Sequence, residues 1–190
     1  MQRYLFFVDA VSTIVGKLFS WCIVLLTAIV SYEVFVRYAL GQPTTWAYDM
    51  AYIMYGTLFM MAGAYALSRN SHVRGDVLYR FLSVRTQASI DLVLYIIFFF
   101  PGMIALVYSG YAFAAFSWLI REHSSFSPNG PPLYHFKSVI PLAAFFLVLQ
   151  GVAETIRAII ALRTGVWPPR PQDVEELEKE ILAQAEAAAR

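Results

Sequence analysis

An all-α membrane protein with four transmembrane helices is the fold this 190-residue sequence predicts, on three observations. Four long apolar runs, Ser12 to Val36, Met50 to Leu67, Ile90 to Trp118 and Val139 to Leu162, fill most of the chain. Each is near or above the ~20 apolar residues that a helix needs to cross a bilayer core. Hydrophobic residues make up 59% of the chain and charged residues 14%, where a soluble domain carries about 25% charged. Lys and Arg are distributed unevenly between alternate connections, as spanning helices require. Helices are the expected spanning form, because only they satisfy every backbone group within one segment.

The first run is too long for the apolar region of a cleaved signal and leads into Tyr32, Glu33 and Arg37 rather than a cleavage site, so it reads as a retained helix. The second follows a short turn containing Gly41, Pro43 and Trp46, and Asp49 opens it, where a carboxylate suits the positive end of the helix dipole. Between the second and third runs, Val73, Val77, Leu78, Phe81 and Leu82 recur at helical spacing among Arg74, Asp76 and Arg80. That pattern, over Ser71 to Ser83, predicts a short amphipathic helix lying in the membrane interface against phospholipid. Asp91 is expected at the start of the third helix, and Pro101-Gly102 is expected to bend it. Trp167-Pro168-Pro169-Arg170-Pro171 reads as a stiff linker. The chain therefore divides into a bundle over 1–167 and a tail over 168–190, in which Asp173 caps a cytoplasmic acidic helix with a Val174, Leu177, Ile181, Leu182 and Ala185 stripe.

Eleven Lys and Arg residues fall on the side of the two termini and the second connection, against three on the other. Both termini are then expected in the cytoplasm, with 39–45 and 121–136 on the opposite face.

Ionisable groups at membrane depth are functional candidates. Glu33 and Arg37 have the i, i+4 order that favours an ion pair, and Asp49 is placed to reach Arg37 across the turn. Glu154 and Arg157 are spaced i, i+3 near the end of the fourth helix, and Gln150 is expected to hydrogen-bond across the bundle. Several activities are excluded. One cysteine, Cys22, permits neither an internal disulfide nor a CxxC pair. His72, His123 and His135 lie in loops or at helix ends, where they cannot ligate a haem inside a bundle, so no cofactor or metal is expected. No nucleophile–base pair is present for an enzyme, and no basic patch for nucleic acid. A self-sufficient small oligomeric carrier or channel would have to rely on Glu33.

Three segments together resemble a known family. One is Tyr32-Glu33-Val34-Phe35-Val36-Arg37-Tyr38 with Gly41-Gln42-Pro43-Thr44-Thr45-Trp46 and Asp49. The second is Gly63-Ala64-Tyr65-Ala66-Leu67 with His72-Val73-Arg74-Gly75-Asp76-Val77. The third is Ser117-Trp118 to Glu122, Ser127-Pro128-Asn129-Gly130-Pro131-Pro132, Lys137, Pro141 and Gln150-Gly151. The chain resembles the DctQ-like small membrane subunit of TRAP (tripartite ATP-independent periplasmic) transporters, nearest to the mannitol/chloroaromatic or 2-oxo-acid branch. It departs from many members in carrying Asp49 in place of Glu. The resemblance implies a bacterial inner-membrane scaffold beside a large permease subunit, in a sodium-coupled symport of an organic acid captured by a periplasmic substrate-binding protein. It implies that Glu33, Arg37, Pro43, Trp46 and Asp49 form a structural clasp. It assigns Arg121, Glu122, His123, Pro131, Pro132 and Lys137 to a loop that meets the binding protein. His72, Arg74, Asp76 and Arg80 would then brace the cytoplasmic face, and Gln150, Glu154 and Arg157 would hold helices together.

Overall fold

A computed structural model of the chain describes residues 2–70, 79, 81–127 and 130–170. Four helices carry the architecture: α1 (Gln2–Ala39), α2 (Ala47–Ser68), α3 (Val84–Leu119) and α4 (Tyr134–Thr164). Each is long and apolar enough to cross a membrane, and the described residues contain no strand. The amphipathic helix expected over Ser71 to Ser83, with His72, Arg74, Asp76 and Arg80, lies outside the described residues except at Tyr79 and at 81–83. The C-terminal helix expected after Asp173 lies outside them altogether.

The helix ends follow from local chemistry. Beyond α1 the chain turns at Gly41, whose φ of 64° suits a residue without a β-carbon, and the Gln42 amide donates back to the Val36 carbonyl at 3.2 Å. The Ser83 hydroxyl accepts from the Thr86 amide and caps α3. Gly165, with φ 75°, ends α4 in the left-handed conformation and donates to the Ala161 carbonyl at 2.8 Å.

Two expectations are corrected. Asp91 does not open α3: the helix starts at Val84 because Ser83 caps it there, and Asp91 lies buried about two turns inside. The break in α3 sits one turn before Pro101-Gly102, as a π-helical segment over Tyr95–Phe99, with the Phe100 amide bonded to the Tyr95 carbonyl. Proline has no amide donor, and its ring crowds the carbonyl four residues back, here that of Ile97. Widening the preceding turn is a known way to relieve such crowding.

α1 pairs with α2 across a short turn, and α3 pairs with α4 across the 120–133 loop. α4 also packs against α2 and α1, so it is the central helix. Its buried face carries Ala143, Ala144, Gly151, Ala153, Ala158 and Ala161. Small side chains allow close backbone approach where water supplies no force to press helices together.

The distribution of side chains is inverted relative to a water-soluble bundle. The largest fully buried side chains are all polar: Arg157, Gln150, Glu154, Asp9, Asp49, Ser68 and Ser117. Large apolar groups face outward instead, with Phe98 68% exposed, Trp21 66% and Tyr108 79%. Water would penalise this arrangement at about 25 cal/mol per Å² of apolar surface, whereas hydrocarbon does not.

The Phe99 ring of the π-helical segment occupies the space a β-carbon on Gly151 would take. Gly151→Val is therefore expected to separate α3 from α4 and to lower stability by about 1–3 kcal/mol, the usual cost of overpacking. A thermal-unfolding scan of the detergent-purified protein measures it.

Candidate functional site

Polar side chains gather at the two ends of the bundle, here termed the loop end (40–46 and 120–133) and the terminal end, where α1 begins and α4 finishes. At the loop end, Arg37 donates to Glu33 Oε1 through Nε at 2.9 Å and Nη2 at 2.6 Å. The other carboxylate oxygen of Glu33 accepts the Thr44 amide at 3.1 Å and the Thr44 hydroxyl. Glu33 thereby ties the end of α1 to the turn that follows it. Trp46 stacks on Tyr32 with centroids 6.1 Å apart, and Pro43 is exposed on the same turn.

Asp49 is not paired with Arg37, contrary to the sequence expectation. Its carboxylate is buried, with Ser124 on Oδ1 and Ser127 on Oδ2, and Ser127 Oγ also lies against the Thr45 carbonyl. The reason is geometric. Glu33 already occupies the Arg37 guanidinium, and Asp49, in the first turn of α2, faces the 120–133 loop.

That loop is internally braced. His123 bridges Pro132, the Ser124 amide donates to the Pro131 carbonyl at 3.0 Å, and the Leu133 amide to the Glu122 carbonyl at 2.9 Å. His123 Nδ1 lies 2.8 Å from the Gly130 carbonyl. Lys137 Nζ donates to Glu122 Oε2 at 2.5 Å and sits 3.9 Å above the Phe113 ring. The Lys137 ammonium holds the Glu122 carboxyl below the usual carboxylate range. Trp118 Nε1 donates to Ser138 Oγ at 2.8 Å. Arg121 (φ 48°) and Phe126 project outward from this frame.

At the terminal end, the buried Gln150 joins α4 to α1. Its carbonyl oxygen accepts from Ser12 Oγ at 2.8 Å, and its amide donates to Asp9 at 2.9 Å and to Glu154 at 3.2 Å. Arg157 grips Glu154 through Nη1 and Asp9 through Nη2. Beyond Gly165 the chain returns toward the bundle, so that Arg170 Nη2 donates to the second Glu154 oxygen at 2.7 Å and Trp167 Nε1 to Gln87 of α3 at 3.2 Å.

A model of the DctQ component of tripartite ATP-independent periplasmic transporters matches residues 26–161, well over half of the chain. The chain belongs to the DctQ family. DctQ proteins are small membrane components of TRAP transporters and work with a large permease subunit and a periplasmic binding protein. Comparison with curated proteins gives no match. The DctQ match takes in the whole loop end together with Gln150, Glu154 and Arg157, and leaves Asp9, Ser12 and Arg170 outside.

The structure brings Glu33 together with Arg37 and Thr44, Trp46 with Tyr32, Asp49 with the loop, and Glu122 with Lys137. Asp9, Ser12 and Arg170 are partners that sequence reasoning missed. Leu5, Val8, Asp9, Ser12 and Gly16 are all buried on α1 and recur every three to four residues, which marks one helix face. Extending the first apolar run toward the N-terminus along that periodicity was the available signal.

Removing the Asp49 carboxylate leaves the buried Ser124 hydroxyl without its acceptor and Ser127 with the Thr45 carbonyl alone. Asp49→Ala is expected to destabilise by about 1–3 kcal/mol, with Asp49→Asn less severe. Faster proteolysis within 120–133 of the DctQ chain would report it.

The depressed Glu122 pKa gives a signed pH dependence. Its contribution is fully present above the unfolded carboxylate value of about 4.3 and is lost as pH falls through the lower folded value. Acidification is therefore expected to loosen the loop in the native protein more than in Glu122→Gln, as followed by hydrogen exchange of the Leu133 amide.

Proposed function

We propose that this DctQ chain is the fixed, non-catalytic scaffold of a sodium-coupled symporter that imports an organic acid across the bacterial inner membrane. Both termini face the cytoplasm, as the Lys and Arg distribution supports. The observation that carries this reading is the way these carboxylates are occupied. Glu33 is held by Arg37 and Thr44, Asp49 by two serine hydroxyls, and Asp9 and Glu154 by arginines. A coupling carboxylate in a carrier must bind and release an ion during turnover, whereas these groups hold a helix end to its turn, to a loop or to another helix. Rigid helix ends are what a stator needs while a larger subunit moves.

On this reading the Glu33, Arg37, Pro43, Trp46 and Asp49 group is a structural clasp. It keeps the loop carrying Arg121, Glu122, His123, Pro131, Pro132 and Lys137 in one shape for the periplasmic binding protein. A preformed loop reduces the ordering cost of docking. The His72, Arg74, Asp76 and Arg80 segment would rest on phospholipid headgroups at the opposite face, and the tail over 168–190 would be an appendage anchored through Arg170 to the bundle over 1–167.

Affinity purification of the tagged chain from native membranes, followed by mass spectrometry, tests the reading. A large polytopic subunit is expected in near-equal amount, with Glu33→Gln costing stability but leaving most solute uptake intact. A stable homo-oligomer without that subunit, in which Glu33→Gln abolishes transport, would instead identify a self-sufficient carrier.

A further inference from the structure

The geometry points to a charge lock that joins two separately formed helix hairpins, in which Arg157 admits α1 to its place on α4 only when Asp9 arrives in register. It stands independently of the scaffold reading, since it concerns how the bundle closes rather than what it supports.

Local connectivity divides the bundle into an α1–α2 hairpin and an α3–α4 hairpin, each joined at the loop end. The contacts between hairpins are largely apolar or small, as where Gly63 of α2 faces Leu147 of α4 and Gly56 faces the Phe136 ring. In hydrocarbon such faces have little to choose between partners, because lipid tails are as apolar as the helices. At the loop end the selective contact is the Asp49 carboxylate on Ser124 and Ser127; at the terminal end it is ionic. Asp9 and Arg157 are 148 residues apart in sequence and sit on opposite hairpins, both fully buried.

The charges balance only when everything is assembled. Asp9 and Glu154 supply two negative charges, and Arg157 and Arg170 two positive ones. With the α3–α4 hairpin alone, Glu154 and its two arginines carry an excess positive charge. With the α1–α2 hairpin alone, Asp9 lacks the guanidinium that grips it in the bundle. A buried charge without its partner is strongly disfavoured, and this drives the hairpins together. Ser12 and Gln150 add a hydrogen bond about one turn along α1 and two turns along α4, so a slip of one helical turn would misplace both pairs at once.

A register role differs from general reinforcement. A cluster serving stability alone would be matched or exceeded by well-packed apolar side chains. A buried ion pair discriminates one register from its neighbours, as single polar groups do in coiled coils.

The test uses the full chain with Cys22→Ala and two engineered disulfide reporters. Leu5→Cys with Ala153→Cys reports α1 on α4, since both positions belong to one packed cluster. Gly110→Cys with Ile140→Cys reports the α3–α4 hairpin, since a β-carbon at 110 lies 3.0 Å from the Ile140 side chain. Asp9→Arg and Arg157→Asp, each alone, are expected to reduce the first cross-link at least tenfold and to leave the second intact in membranes. The double exchange is expected to recover the first cross-link to more than half. Retention of the first cross-link in both single variants would overturn the proposal, as would failure of the exchange to recover it. Loss of both cross-links in the single variants would also overturn it, because the hairpins would then not form separately.

Discussion

Arg157 has no water to turn to, and much of the bundle's arrangement follows from that. A guanidinium buried among four helices requires carboxylates, and it takes them from its own helix and from α1. Glu154 serves as one and then has an oxygen to spare, which Arg170 covers from beyond the end of α4. The chain can reach back there only because Gly165 adopts a left-handed conformation that side chains with a β-carbon resist. One buried cation thus accounts for the contact between the first and last helices and for the course of the segment that follows.

The loop end solves a milder version of the same problem. Glu33 is nearer water, so a single i, i+4 pair and the Thr44 turn suffice for it, while the buried Asp49 is held by serine hydroxyls. Exposed ion pairs of this kind contribute little to stability. Their value lies in direction. Each carboxylate fixes a turn or loop against a helix end, leaving Arg121 and Phe126 displayed on a frame that does not need to reorganise.

How far this was readable in the sequence depends on the range of each interaction. The four helices were legible because hydrocarbon imposes a length and a composition on each of them. The Glu33–Arg37 spacing was legible because it is local. Asp9 was not, because a run defined by hydropathy stops at the first charged residues, and α1 continues through them to Gln2. Asp49 stands within reach of Arg37 along the sequence, yet the serines that hold it lie 75 and 78 positions away. Periodicity says which face of a helix is buried, and nothing in a single sequence says which loop will meet that face.

The π-helical turn at Tyr95–Phe99 bears on comparison with relatives. One residue more than an α-helix would use is accommodated there, and each residue in an α-helix advances about 100° around the axis. The half of α3 before the turn and the half after it are therefore offset, so that Phe99 meets Gly151 while Gly110 still meets Pro141. A relative that keeps both contacts through an unbroken α-helix would need one residue fewer between them. An alignment of the family should then show a single-position gap in the middle of an apolar span. That gap would record a change of helical phase, whereas gaps elsewhere in the family would be expected to record loop length.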